Sequence, residues 1–280
     1  QITPKGFVPS EDRGVVFMNL ELPVGASLDR TFNATEEIYD RIQNIEGIRT
    51  ASLITGRNFF SGNGSSYAQG FIILNNWEER KTEETQINAI IEKLTQVTSS
   101  IADAKIQFFT PPSVPGYGAA DGFEMQLLDK TAGPFTELDD EANKFVDNLF
   151  QEPSIAFANS SFSAKFPQYN LELNVPKIKA SGLSVDEVFS TMQSYIGGFF
   201  VSNFSNFGKQ YRVFVQALPE DRDDEQSLNS IFVTLPSGEN APISEFVSLE
   251  RTYGPQVVNR FNLYNAVTIN GSSTPGFSSG

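Results

Sequence analysis

Gly14-Val15-Val16-Phe17-Met18-Asn19-Leu20-Glu21-Leu22 is the stretch on which the fold turns. Val16, Met18, Leu20 and Leu22 fall on one face of a strand, and Val15, Phe17, Asn19 and Glu21 on the other, because successive side chains of an extended chain point to opposite sides. Pro23-Val24-Gly25 breaks the strand. Ser27 is placed to cap a helix whose apolar side is Leu28, Phe32, Ile38, Ile42 and Ile45, and Gly47 ends that helix. Outward from there, strands are read at 49–54 and, beyond a Gly/Ser-rich loop, at 70–74. A second helix over 85–99 sets Ile87, Ile90, Ile91, Leu94 and Val97 at near-ideal helical spacing. A strand at 105–109 closes the set before Pro111-Pro112. The order β-α-β-β-α-β is the split βαβ, ferredoxin-like arrangement: one sheet covered by helices on a single face.

After the Pro/Gly segment 111–118, a strand at 122–128 alternates Phe123, Met125 and Leu127 with Glu124, Gln126 and Leu128. A helix over 136–150 gathers Leu138, Ala142, Phe145, Val146 and Leu149, and a short strand follows at 154–159. This is half of a second split βαβ unit. A third region, 164–255, changes texture: strands at 169–175, 198–203 and 210–217, a helix at 185–196, and a hairpin around Pro236-Ser237-Gly238-Glu239. A strand at 264–270 then completes the open half-unit, so the third region reads as an insertion. The fold class is α+β.

Composition narrows the chemistry. With 39% hydrophobic residues and 25 Phe, ordered packing is expected. The net charge of −14 offers no basic patch to nucleic acid or to an anionic membrane surface. No Cys and no His means no disulfide, thiol nucleophile, imidazole base or imidazole metal ligand. No cofactor, no metal site and no catalytic residue is expected. Asp139-Asp140-Glu141 reads as carboxylates near the positive end of a helix, and 220–225 as a solvated turn. No stretch approaches the roughly 18 apolar residues of a membrane span. Gln1 is not an initiator Met and the chain stops in a Pro/Gly/Ser turn at 274–280, so a segment of a longer protein is expected.

Three segments carry a resemblance. Phe7-Val8-Pro9-Ser10-Glu11-Asp12-Arg13-Gly14 resembles F-L-P-x-E-D-x-G, and Leu22-Pro23-Val24-Gly25-Ala26-Ser27 continues it like L-P-x-G-A-[ST]. Trp77-Glu78-Glu79-Arg80 sits where W-x-[ED]-R follows a third strand. The run 180–188 resembles A-x-x-L-G-[VL]-x-x-x-[VI], followed by Gly197-Gly198, a phenylalanine pair and Val201-Ser202-Asn203-Phe204. In this order and spacing they resemble the second periplasmic loop of the AcrB-like, resistance-nodulation-division (RND) multidrug efflux pumps of Gram-negative bacteria.

The resemblance implies names and roles. Residues 1–115 correspond to the porter subdomain PC1, 116–162 with 259–280 to a truncated PC2, and 163–258 to the docking subdomain DC. PC1 and PC2 border a cleft that admits drugs, so Val15, Phe17, Asn19, Phe60, Gln69, Phe71, Phe123, Met125 and Leu127 are expected to line a substrate wall. A broad apolar surface with few fixed polar groups suits varied amphiphiles; Asn19 and Gln69 make this one more polar. The loop 55–64 resembles the switch loop of G-F-x-F-x-G type, expected in Phe59, Phe60, Ser61, Gly62, Asn63 and Gly64. The family's first aromatic position falls on Asn58 here. Glycines there ease alternative backbone states, and aromatics give each state something to pack on. Pro236, Ser237, Gly238, Glu239 and Asn240 match a crown loop and are the expected docking contact.

The implied partners are amphiphilic small molecules, the rest of the same pump (its N-terminal periplasmic loop and membrane helices), two further copies in a homotrimer, a periplasmic adaptor and an outer-membrane channel. The implied location is the periplasmic face of the inner membrane. Such a segment binds without transporting, since the proton-carrying residues lie in membrane helices. Other classes are weaker. A glycan-active enzyme needs paired carboxylates on facing strands, which nothing here places. A binding module of an extracellular assembly predicts a protein without flanking membrane helices. A heavy-metal pump needs soft ligands that three Met without Cys or His supply poorly.

Overall fold

The computed structural model describes residues 11–112, 122–160, 162–274 and 277. The first four residues of the 7–14 motif, most of the 111–118 segment and most of the terminal turn lie outside them. The chain divides into two compact units, residues 1–167 with 253–280, and residues 168–252.

In the first unit, β1 (Val15–Glu21), α1 (Leu28–Ile42), β2 (Ile48–Asn58), β3 (Gly62–Leu74), α2 (Ile87–Thr98) and β4 (Lys105–Phe109) form the expected split βαβ fold. The sheet order is β2-β3-β1-β4, with antiparallel neighbours throughout. Val16, Met18 and Leu20 are fully buried with Ile38 and Ile42 of α1, Ile72 of β3, and Ile90 and Leu94 of α2. Both helices therefore cover the Val16 face. Among the described residues, no helix covers the other face of β1.

Ser27 caps α1 as expected, its hydroxyl oxygen accepting the Arg30 N–H at 3.2 Å. The buried line of α1 differs from the expected one: it runs through Thr31, Thr35, Ile38 and Ile42, whereas Leu28 and Phe32 are half exposed. Threonine hydroxyls can enter a packed face when the backbone takes their proton. Thr31 donates to the Ser65 carbonyl and Thr35 to the Thr31 carbonyl, each at 2.7 Å. Phe32→Ser is accordingly expected to change unfolding free energy by less than about 0.5 kcal/mol. Ile38→Ala should cost about 2–5 kcal/mol. Urea unfolding of the two variants checks the contrast.

The Gly/Ser-rich stretch after residue 54 is the second difference. Both strands run through it, and the connection shrinks to Phe59-Phe60-Ser61. Register shifts between Thr55 and Arg57, where Gly56 takes φ +91°, a left-handed value that side-chain-bearing residues avoid. One bulge at this glycine lets the ladder continue to Asn58↔Gly62.

Trp77-Glu78-Glu79-Arg80 lies in the link between β3 and α2, where Arg80 is almost wholly buried. Its two terminal nitrogens meet the two oxygens of Asp12 at 2.9 and 3.1 Å, and its Nε and Nη1 donate to the Asn75 and Thr85 carbonyls at 2.8 and 3.3 Å.

The second sheet of this unit contains β5 (Phe123–Asp129), β6 (Ile155–Ser160), β13 (Asn259–Phe261) and β14 (Tyr264–Ser273), with α3 (Phe135–Leu149) between β5 and β6. As expected, the late strand β14 enters the half-unit, pairing antiparallel with β5, β6 and β13. Leu138 and Ala142 of α3 pack on Val267 and Ile269. Asp139 lies in the second turn of α3. It is buried, and its carboxylate accepts the Ala164 N–H and the Asn143 side-chain N–H, both at 3.0 Å.

The second unit holds β7 (Phe166–Leu173), which enters from the first unit, α4 (Val175–Ala180), α5 (Val185–Met192), β8 (Phe199–Asn206), β9 (Lys209–Val215), β10 (Phe232–Thr234), β11 (Asn240–Pro242) and β12 (Val247–Gly254). β7 pairs with β12; α4 and β12 have no counterpart in the sequence reading. Ile178, Val188, Ile231, Ile243 and Phe246 form the core. Ser184 and Glu187 make a reciprocal capping box at the start of α5, and beyond Met192 that helix widens into a π-turn over Gln193–Gly198. β8 and β9 form a two-stranded ribbon whose residues are almost all exposed. Arg212 stacks over Phe200 and Phe214, 4.9 and 5.3 Å from their centroids.

Candidate functional site

Register across the helix-free face of the first sheet sets residues in rows. Thr50, Ile73 and Val15 form one. Ser52, Phe71, Phe17 and Phe109 form the next, and Ile54, Gln69, Asn19 and Gln107 the third. Tyr67, Glu21 and Lys105 follow. Along the strands the face thus passes from aliphatic to aromatic, then amide, then charged. Burial pushes the Glu21 carboxyl up against the pull of Lys105; burial and the neighbouring Glu21 push the Tyr67 phenol up.

The hairpin tip folds over this face. Phe59 stacks on Phe17 with centroids 4.6 Å apart and planes within 3°, and stands edge-on to Phe71 and Phe109 at 5.4 and 5.9 Å. Phe17 meets Phe71 and Phe109 edge-on at 5.3 and 6.0 Å. Phe60 stacks on Phe109 at 5.1 Å and reaches Phe157 of the second sheet at 6.0 Å. Stacked and edge-on pairs at these separations each add about 0.5–1.5 kcal/mol beyond burial. Two amides hold the tip. Asn19 Oδ1 accepts the Phe59 N–H at 3.1 Å, and Asn58 Oδ1 accepts the Phe60 and Ser61 N–H groups at 2.7 and 3.1 Å.

The expected wall is thereby divided. Val15, Phe17, Asn19, Gln69 and Phe71 share the helix-free face, and Phe59 and Phe60 join them from the tip. Ser61 completes the turn, while Gly62, Asn63 and Gly64 begin β3. Phe123, Met125 and Leu127 pair with Gly271, Ile269 and Val267. Paired residues of an antiparallel ladder share a face, and Val267 and Ile269 pack on α3. These three therefore lie on the α3 side, with the Phe123 ring filling the space that a side chain at Gly271 would need. Alternation alone distinguishes two faces without saying which one a helix covers.

The helix-free side of the second sheet carries Phe157, Asn270, Thr268 and Gln126 instead. Three contributors were missed. Phe109 was legible, since β4 was read correctly and its odd-numbered residues fall opposite Phe17. Asn58, almost wholly buried, occupies the family's aromatic position and supplies the turn's acceptor in its place. Nothing local marked Phe157.

Beside the tip a cavity of about 20 Å³ is lined by Ser61, Ser66, Tyr67, Phe162, Phe166 and Val257, among others. That volume holds one water molecule. In the second unit, Pro236–Glu239 forms the turn between β10 and β11. Leu235 N–H donates to the Glu239 carbonyl at 2.8 Å, Gly238 N–H to that of Leu235 at 2.9 Å, and Asn240 opens β11. Among the described residues no helix is long and apolar enough to cross a membrane.

Known proteins are similar to this sequence along nearly its whole length. The toluene efflux pump membrane transporter TtgB of Pseudomonas putida is 29% identical over 99% of the chain, which covers 26% of that protein. The multidrug resistance protein MdtF and the multidrug export protein AcrF, both of Escherichia coli K12, are 31% and 28% identical over 99% of it. The chain spans 27% of each of these two. A family model, AcrB/AcrD/AcrF, matches residues 1–280, and the chain belongs to that family.

Proposed function

We propose that this chain is the periplasmic drug-binding and channel-docking part of a proton-driven RND efflux pump of the inner membrane, exporting amphiphilic xenobiotics. The carrying observation is the aromatic face of the first sheet, free of helices among the described residues and covered by the hairpin tip. Val15, Phe17 and Phe71 form the wall, Asn19 and Gln69 its polar margin, and Phe59–Gly64 the switch that opens it. Residues 1–115 act as PC1, 116–162 with 259–280 as PC2, and 163–258 as DC. The turn Pro236–Asn240 meets the adaptor or the outer-membrane channel within a homotrimeric assembly. The chain binds cargo without catalysing a reaction or transporting by itself. Names such as toluene efflux pump and multidrug export protein among its relatives fit cargo of this kind.

The test uses cells whose drug tolerance depends on the full-length protein. Phe60→Ala and Phe71→Ala are each expected to lower tolerance at least about fourfold toward several aromatic drugs, since each loses roughly 1 kcal/mol or more of ring contact. Expression should be unchanged. Unaltered tolerance across a wide panel would remove these residues from the pocket.

A further inference from the structure

On the aromatic face, two buried side-chain atoms have no hydrogen-bond partner among the described residues: Asn19 Nδ2, a donor, and Gln69 Oε1, an acceptor. Both residues are more than nine-tenths buried. They are register partners on β1 and β3, one row from Phe17 and Phe71, so they stand side by side on the face that the tip covers. The Asn19 orientation is fixed, because its Oδ1 takes the Phe59 N–H. A buried polar group without a partner costs about 1–3 kcal/mol, and an apolar pair at these positions would avoid that cost.

The tip displays what fits beside them. Phe59 presents an aromatic ring to Phe17 and, two carbons from that ring, an N–H to Asn19 Oδ1. Its contact leaves one donor and one acceptor of the pair unmet. A small aromatic molecule with a carboxamide two carbons from its ring reproduces the Phe59 ring and its N–H; the amide carbonyl, trans to that N–H, points away from Asn19. A hydroxyl beyond that carbonyl would accept from Asn19 Nδ2 and donate to Gln69 Oε1, meeting both unpartnered atoms of the pair. No charged group stands in this row; Glu21 and Lys105 lie one row away.

We infer that Asn19 and Gln69 form a specificity clasp for neutral aromatic carboxamides bearing a hydroxyl, and that the Phe59 tip occupies the clasp as an internal stand-in until such a ligand displaces it. This rests on the pocket reading above and adds a preference within it.

The experiment compares two probes in cells carrying the full-length protein: N-(2-hydroxyacetyl)-2-(1-naphthyl)ethylamine, and 1-hexylnaphthalene, which has the ring and chain without polar groups. Naphthyl fluorescence follows initial efflux at low probe concentration, where the rate scales with kcat/KM. Gln69→Met leaves the Asn19–Phe59 bond in place and removes a buried acceptor, so its melting temperature should equal or exceed wild type. It is expected to slow the amide roughly five- to tenfold, as loss of one buried hydrogen bond implies, and to change the hydrocarbon less than twofold. Asn19→Leu should slow the amide further.

Equal slowing of both probes, or none of either, overturns the clasp. Phe71→Ala separates this from failure of the pocket itself. If it slows both probes while Gln69→Met slows neither, the clasp alone falls; if it too is silent, the pocket falls with it.

Discussion

Arg80→Ala is expected to lower the unfolding free energy by about 3 kcal/mol, because the bonds of the buried guanidinium to the partly exposed Asp12 and to two carbonyls are lost together. Truncation strands the Asp12 carboxylate and removes the donor from two carbonyls. The bridge also predicts a pH dependence. Burial alone would raise the Asp12 pKa, but the Arg80 guanidinium and the Gly14 N–H outweigh it and hold the carboxyl below its ordinary value. A depressed folded-state pKa means the bridge contributes fully above the ordinary aspartate value of about 4 and loses its contribution as pH falls through the lower folded value. The gap between wild type and Arg80→Ala should therefore be constant near neutrality and narrow in strong acid. Urea titrations from pH 7 down to about 2.5 measure it; a gap that stays constant to the lowest pH would show that Asp12 is not the partner that matters.

Phe17→Ala is the second large effect, expected at about 3 kcal/mol or more. Phe17 is stacked on Phe59 and meets Phe71 and Phe109 edge-on, so its removal leaves three rings facing a void. Its loss should also release the tip, because the Phe59 ring keeps only edge contacts. Hydrogen exchange at the Phe59 amide, protected by Asn19, is the direct readout. Destabilisation without faster exchange there would mean that the backbone bonds of Asn19 and Asn58, and not the stacked rings, hold the tip.

Much of this was legible because period-two and period-3.6 patterns report burial directly. The strand at 14–22 announced its two faces, and the isoleucines of 85–99 their helix, since no other arrangement buries those side chains together. Polar groups that satisfy themselves are harder to see. Thr31 and Thr35 displaced Leu28 and Phe32 from the core by donating to backbone carbonyls, a possibility that hydrophobic periodicity cannot register. Gly56 looked like a loop residue and serves a bulge. In the site, Phe17 and Phe71 followed from strand parity, whereas the side on which Phe123, Met125 and Leu127 lie depends on where α3 packs. Asn58 took over an aromatic position by bonding two amides of its own turn.

The late arrival of β14 bears on how the chain reaches this state. β6 ends at Ser160 and its partner begins only at Tyr264, so their ladder must close across everything between them. The entropy of closing a flexible loop grows by about 0.6 kcal/mol for each doubling of its length, and contacts so distant in sequence are slow to form. β7 and β12 pair near the two ends of that excursion. With that pair formed, the intervening chain counts as a short link for the β6–β14 ladder. The pairing of β7 with β12 thus shortens the loop that the β6–β14 ladder has to close.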